Sequence, residues 1–199
     1  NANSAIYNFW LRDARLHGRD LWIILDAMTD DANWRSNRAE SIQQEKWDIY
    51  PTHIPMVNYW TQLYRSINAA NFSIEGIPTS TDASFTEEKR IQYIAEARFM
   101  RGFNYLFLAT LYGDIPLSLK TLNNFDEYDQ PKSTQAEVYA AVIEDLTFAK
   151  DYLPASWPAS YHGRPPRAAG AAYLAQVYLF MGDFANAEAA ARDAIAISE

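Results

Sequence analysis

Residues 93–117 read YIAEARFMRGFNYLFLATLYGDIPL, and this stretch decides the fold. No proline interrupts residues 94–112 and strong helix formers fill them, so the pattern predicts a helix. Apolar side chains fall on several of its faces, which requires neighbouring elements on more than one side. Gly113 and Pro116 then supply a residue that tolerates positive φ and one that cannot continue a helix. The sequence predicts a buried central helix.

Helical patterns continue on both sides of this stretch. Apolar residues recur at helical spacing from Trp60 to Ala70, and Thr134 with Glu137 has the sequence of a capping box. We predict helices near 55–76, 85–112, 134–153, 167–182 and 184–197, with a mixed helical pattern over 4–28. Residues 29–53 are polar and without clear periodicity, so we expect a long irregular loop there.

The end of the chain has the spacing of a tetratricopeptide unit. Small residues stand where two antiparallel helices would touch, with a glycine at the turn between them. The residues concerned are Leu174, Ala175, Tyr178, Gly182, Ala187, Ala191 and Ala194. We therefore predict an all-α fold of tetratricopeptide-like helix pairs in a right-handed α-α superhelix, with long irregular loops. The clearest pair is expected at 167–198.

Charge and composition exclude several classes of function. The chain has 199 residues and a net charge of −8, from 25 acidic and 17 basic residues. This balance disfavours nucleic-acid binding and a polybasic membrane patch, because both need a basic surface. There is no cysteine, so disulfides, thiolate metal sites and cysteine nucleophiles are excluded.

No catalytic motif is present in the sequence. The glycines form no phosphate-binding cluster, and His17, His53 and His162 are scattered rather than spaced as metal ligands. We expect no catalytic residues, no cofactor and no metal.

Charges inside an apolar helix must be paired, so Glu96 is predicted to be ionised and paired with Arg98, Arg101 or another buried base.

The central stretch closely resembles the signature of the SusD/RagB family. That signature is an E-A-R-[FY]-[LM]-R-[AG]-x-x-Y-x-x-L helix followed by Y-G-D-[IV]-P-L. The matching residues here are Glu96, Ala97, Arg98, Phe99, Met100, Arg101, Gly102, Tyr105, Leu108, Tyr112, Gly113, Asp114, Ile115, Pro116 and Leu117. The segment from Trp60 to Asn71 also looks like a second recognisable part of the family.

This resemblance carries expectations for the whole protein. Residues 1–199 would be a SusD-like N-terminal helical domain of a longer chain. Family members are surface-exposed lipoproteins of the cell outer membrane that cap a SusC-like TonB-dependent transporter and deliver oligosaccharide or polysaccharide to it. Any membrane association would then depend on a lipid anchor that lies outside this sequence.

Aromatic residues suggest where a ligand would bind. Trp47 and Tyr50 lie off the helical stripes, in a segment rich in Arg, Asn and Asp that can hydrogen-bond sugar hydroxyls. In starch-binding relatives a Trp and an Asn three residues later contact sugar in about this region, and Trp34 and Asn37 have that spacing. The candidate ligand-binding residues are Trp34, Arg35, Asn37, Trp47 and Tyr50. A second candidate is the loop with Trp157, Tyr161, His162 and Arg164. The alternative is that these rings pin their loops to the helices.

Three functions are compatible with these patterns. The first is non-enzymatic binding of nutrient glycan at the cell surface for delivery to the transporter. The second keeps the scaffold and replaces the glycan with peptide, as in RagB-like members. The third is a tetratricopeptide adaptor whose concave face binds another protein. An enzyme is disfavoured because no nucleophile is accompanied by its base.

Overall fold

The computed structural model describes residues 3–11, 20–26, 28–31, 39–83, 85–161 and 163–198. The described residues are mainly α-helical, which confirms the predicted all-α class. Their helices are α1 Ser4–Leu11, α2 Asp20–Asp26, α3 Ala39–Glu45, α4 Ile54–Gly76, α5 Glu87–Tyr112, α6 Gln135–Tyr152, α7 Arg167–Phe180 and α8 Phe184–Ser198. Two short strands, β1 Ile115–Pro116 and β2 Lys132–Ser133, pair antiparallel, with Ile115 opposite Ser133.

The chain divides into two compact units. The first unit is Ser4–Ser66, and the second is Asn1–Asn3 with Ile67–Glu199. In the first unit, Ile6 of α1, Ile24 of α2, and Tyr59 and Leu63 of α4 are buried.

The predicted irregular loop over 29–53 is wrong in one respect. It contains α3, whose sequence AESIQQE has a single strongly apolar residue and hence no apolar stripe for a periodicity argument to detect. Its buried residues are the polar Ser41 and Gln44. This helix packs through polar side chains, and that is why the hydrophobic pattern missed it.

Helix α5 is the central element of the second unit. Thr86 is its N-cap and accepts a hydrogen bond from the Lys89 N–H. Gly113, at φ 73°, ends it and donates its N–H to the Ala109 carbonyl at 3.0 Å. Thirteen of its residues are buried, on every face, over 95–109. The buried central helix and its predicted glycine end are thus both observed.

The capping box that opens α6 is also observed. The Thr134 Oγ1 accepts from the Glu137 N–H, and the Glu137 carboxylate accepts from the Thr134 N–H. Helix α6 then packs closely against α7 at Gly170, where a Cβ atom would stand only 2.7 Å from the Lys150 backbone nitrogen. Only glycine allows the two helices to approach this closely.

The turn between α7 and α8 is a Schellman motif. Gly182 has φ 75° and donates its N–H to the Leu179 carbonyl at 3.1 Å. The next N–H, of Asp183, donates to the Tyr178 carbonyl at 2.9 Å. These two bonds satisfy carbonyls at the end of α7 and turn the chain back into α8. The glycine stands at the predicted place in the helix pair.

Arg101 joins α5 to α6 and to the loop that follows β1. Its guanidinium donates two hydrogen bonds to the Asp145 carboxylate, at 2.7 and 2.8 Å. Its Nη1 also donates to Asn71 Oδ1 and to the Leu119 carbonyl, at 2.8 and 3.0 Å. Arg98 Nε lies 3.9 Å from the same Asp145 carboxylate. The two arginines of the signature therefore pair with Asp145. Of the partners predicted for Glu96, this leaves the third alternative, another buried base.

Candidate functional site

The structure describes only part of the first predicted site. Trp34, Arg35 and Asn37 lie outside the described residues. Trp47 and Tyr50 are described, and both lie in the first unit, in the segment between α3 and α4.

Trp47 occupies the turn that ends α3. Its N–H donates to the Gln44 carbonyl at 3.0 Å, and the next N–H, of Asp48, donates to the Gln43 carbonyl at 2.8 Å. This is a second Schellman motif, with tryptophan at the position where glycine is usual. Trp47 has φ 57°, and it is the one non-glycine residue with positive φ in the described chain. A left-handed backbone at a bulky side chain is uncommon and unfavourable.

The ring of Trp47 faces solvent. The residue is 70% exposed, and Tyr50, three residues later, is 52% exposed. A hydrogen bond with the Asp48 carboxylate, together with its negative charge, raises the pKa of Tyr50. The turn thus presents two accessible aromatic rings with an acidic residue between them. Such a surface can cover the C–H face of a sugar and accept hydrogen bonds from its hydroxyls.

Two buried polar residues lie close to this turn in sequence. His53 is 4% exposed, and its Nε2 is 3.0 Å from the Glu40 carbonyl, whereas its Nδ1 has no hydrogen-bond partner among the described residues. Gln44 is fully buried, and neither polar atom of its side chain has a hydrogen-bond partner within the described ranges. Sequence reasoning did not identify Gln44, because a polar residue in a polar helix gives no signal of burial.

The second predicted site is organised by Arg164. Its guanidinium carbon lies 4.2 Å from the Trp157 ring centroid, 4.8 Å from that of Tyr93 and 5.3 Å from that of Tyr161. The Trp157 Nε1–H donates to the Pro165 carbonyl at 2.9 Å. Both the ring and the N–H of Trp157 are therefore engaged within its own loop. His162, the remaining predicted member, lies outside the described residues.

The same guanidinium neutralises Glu96. Arg164 Nε donates to Glu96 Oε1 at 2.6 Å, and Nη2 donates to Glu96 Oε2. Asn3 Nδ2 donates to the same carboxylate at 2.6 Å. Glu96 is fully buried, so the predicted buried pair exists, but its base is Arg164 from a loop 68 residues away. This part of the predicted site is a structural junction, and Tyr161 is left as its exposed ring.

Other classes of site find no support in the described part of the chain. No group of three or more His, Asp or Glu side chains there could hold a metal ion. No described helix combines the length and the apolar character needed to cross a bilayer.

Residues 17–179 match the model of the SusD-like family, which is described as starch-binding and associating with the outer membrane. The chain belongs to the SusD-like family. The match contains the whole 93–117 stretch, so the resemblance found from the signature residues is confirmed.

Individual relatives agree with this assignment. SusD-like protein P2 of Formosa agariphila is 37% identical over 131 residues, which are 65% of this SusD-like chain and 25% of that protein. A laminarin-binding SusD-like protein has a TM-score of 0.82 at 22% identity, with 95% of this chain and 41% of that one covered. A structure with a xylogluco-oligosaccharide has a TM-score of 0.80 at 24% identity, with 98% and 39% covered. These two likenesses show a shared fold. The chain spans about a quarter of the length of the curated relative.

Proposed function

We propose that this SusD-like chain belongs to a surface-exposed outer-membrane lipoprotein that binds nutrient glycan without catalysis. The glycan would pass to a SusC-like TonB-dependent transporter. The family description, starch-binding and outer-membrane-associated, supports this proposal. So do two proteins of the same fold, one laminarin-binding and one with a xylogluco-oligosaccharide.

The observation that carries the proposal is the backbone of Trp47. Strained backbone at a non-glycine residue costs on the order of 1–3 kcal/mol and concentrates at functional sites. Glycine would end α3 at this position without strain. The chain instead places there an indole that is 70% exposed and so gains little from burial. A role in binding explains why a large ring is retained in an unfavourable conformation.

The remaining predicted residues complete the site in this proposal. Tyr50 adds a second exposed ring, while Trp34 extends the stacking surface and Arg35 and Asn37 donate hydrogen bonds to sugar hydroxyls. A neutral polyol offers no charge, so binding must combine apolar area with a few placed polar groups. Affinity is therefore expected to be modest and almost independent of salt.

The test compares Trp47→Gly with Trp47→Phe in the same protein. Glycine keeps the turn and removes the ring, whereas phenylalanine keeps an aromatic ring. We expect titration calorimetry with laminarihexaose or a xyloglucan oligosaccharide to show binding weakened at least about tenfold by Trp47→Gly, and less by Trp47→Phe. Melting temperatures should not fall in the glycine variant. Glycan binding unchanged in Trp47→Gly, or binding of peptides alone on an array, would overturn the proposal.

The transporter is tested separately. Affinity purification of the tagged protein from its native outer membrane should recover a TonB-dependent transporter in stoichiometric amount. Recovery of the protein alone would contradict the transporter partner and would not affect the proposal of a glycan site.

A further inference from the structure

The second unit contains a cavity that the proposed function does not use. It lies beside the end of α4, the 3-10 turn Ile77–Thr79 and the start of α5, and Tyr161 closes one side. Its volume is about 750 Å³. Sites for small molecules are typically about 300–1,000 Å³ and combine apolar walls with a few polar groups.

Aromatic rings form much of the wall. Phe72 is 65% exposed and Tyr161 is 47% exposed, although both are large apolar side chains. Phe85 and Tyr93 are also in the wall, with their ring centroids 5.4 Å apart. Arg90 lies over the Phe85 ring at 5.0 Å, and Arg164 lies over the Tyr93 ring. These cation–π contacts hold both rings in place before any ligand arrives.

The charges of the wall favour an uncharged ligand. Among the described residues that line the cavity, Lys89 carries a positive charge and Asp82 carries a negative charge. The chain as a whole carries −8, which repels anionic ligands. Exposed rings, hydroxyl groups and one carboxylate together suit a polyhydroxylated ring with apolar C–H faces.

We propose that this cavity is a second sugar-binding subsite that accepts one or two neutral pyranose units of a glycan. Phe72 and Tyr161 provide the stacking surface, and Asp82 and Lys89 bond the sugar hydroxyls. The class of ligand rests on the proposed function, whereas the location rests on observations independent of Trp47.

The test is made in the Trp47→Gly background, where the first site is removed. We expect residual binding of laminarihexaose or a xyloglucan oligosaccharide by titration calorimetry. Phe72→Ala should weaken this residual binding on the order of tenfold because a stacking ring is lost. Asp82→Ala should weaken it about 3- to 10-fold, as expected for one hydrogen bond. The matched control is Phe184→Ala, which removes another exposed phenylalanine, 69% exposed and outside the cavity wall.

The outcomes separate the two proposals. Loss of all glycan binding in Trp47→Gly alone would overturn the cavity subsite and support the Trp47 site. Unchanged binding in Trp47→Gly, with loss in Phe72→Ala, would overturn the Trp47 site and support the cavity. Residual binding that is unchanged by both Phe72→Ala and Asp82→Ala would overturn the cavity subsite. Binding confined to acidic oligosaccharides or to peptides would also overturn the cavity subsite.

Discussion

Trp47 and Gly182 occupy the same position of the same helix-ending motif, with φ angles of 57° and 75°. In both turns the residue at this position donates its N–H to a carbonyl three residues back. The N–H that follows donates to a carbonyl five residues back. The local backbone is thus matched, and the two residues differ in what their side chains do there.

This match gives a stability prediction with its own control. Trp47→Gly should raise the free energy of unfolding by up to about 1 kcal/mol, because a left-handed backbone costs a non-glycine residue about 1–2 kcal/mol. Gly182→Ala should lower it by a similar amount for the same reason. Urea unfolding of both variants measures the two changes in the free energy of unfolding. A destabilised Trp47→Gly protein would show that the indole stabilises the turn. The strained backbone of Trp47 would then no longer be an argument for a role in binding.

Substitutions in the Glu96–Arg164 pair should destabilise the second unit strongly. Glu96→Gln leaves a guanidinium without its carboxylate, and breaking a buried pair costs about 3–5 kcal/mol. Arg164→Met should cost a similar amount, and the double variant should cost less than the sum. Chemical denaturation of the three proteins measures the coupling. Arg192→Ala is the control, because it breaks an exposed pair with Glu188 worth about 0–1 kcal/mol. Equal effects at Glu96 and Arg192 would show that Glu96 is solvated.

Tyr105 should make stability depend on pH in the alkaline range. Burial raises the pKa of its phenol to about 12, above the usual 10.0. Its contribution to the free energy of unfolding is fully present below pH 10. This contribution is lost as the pH rises from 10 towards 12, because the phenol of the unfolded chain loses its proton first. The loss should be about 3 kcal/mol at most. Unfolding measured at pH 9 and pH 11.5 should show a larger decline for the native protein than for Tyr105→Phe. Parallel declines would mean that other tyrosines are responsible.

The same substitution tests a local contact at neutral pH. The Tyr105 hydroxyl donates to the Ser118 carbonyl and accepts from the Ser118 N–H, both at 2.8 Å. Tyr105→Phe leaves the buried Ser118 N–H unpaired, whereas the Ser118 carbonyl keeps a hydrogen bond from Asn71 Nδ2 at 3.1 Å. The substitution should cost about 1–3 kcal/mol at pH 7.

Gly170→Ala should be strongly destabilising although alanine favours helices. A Cβ atom would meet the Lys150 backbone nitrogen at 2.7 Å, so α6 and α7 would have to separate, at a cost of about 1–3 kcal/mol. Gly76→Ala is the matched control, because its added Cβ meets nothing within 4 Å and its φ is −83°. That change should be neutral or stabilise by up to about 1 kcal/mol. Similar thermal melts for the two variants would contradict the close packing of α6 on α7.

The sequence predicted those features that depend on neighbouring residues. The capping box at Thr134, the glycine turns at Gly113 and Gly182 and the burial of α5 all follow from local chemistry and periodicity. Helix α3 was missed because its buried face is polar. The left-handed turn at Trp47 could not be predicted, since its local sequence contains no glycine or asparagine at that position to indicate it.

The candidate site was predicted less completely, and for a different reason. Its chemistry depends on exposure and on pairing between distant segments, neither of which is encoded in spacing. Glu96 was correctly expected to be paired, but its base lies 68 residues away in a loop. Trp34, Arg35 and Asn37 remain predictions.

The junction at Glu96 also bears on how the chain is made. Its two partners, Asn3 and Arg164, lie 93 and 68 residues from it, one on each side. Because a polypeptide is synthesised from its N terminus, the whole of α5 is made before Arg164, the residue that neutralises Glu96. Until that residue has left the ribosome, burying α5 in the native way would bury an uncompensated carboxylate. Native burial of α5 is therefore unfavourable until translation has passed residue 164.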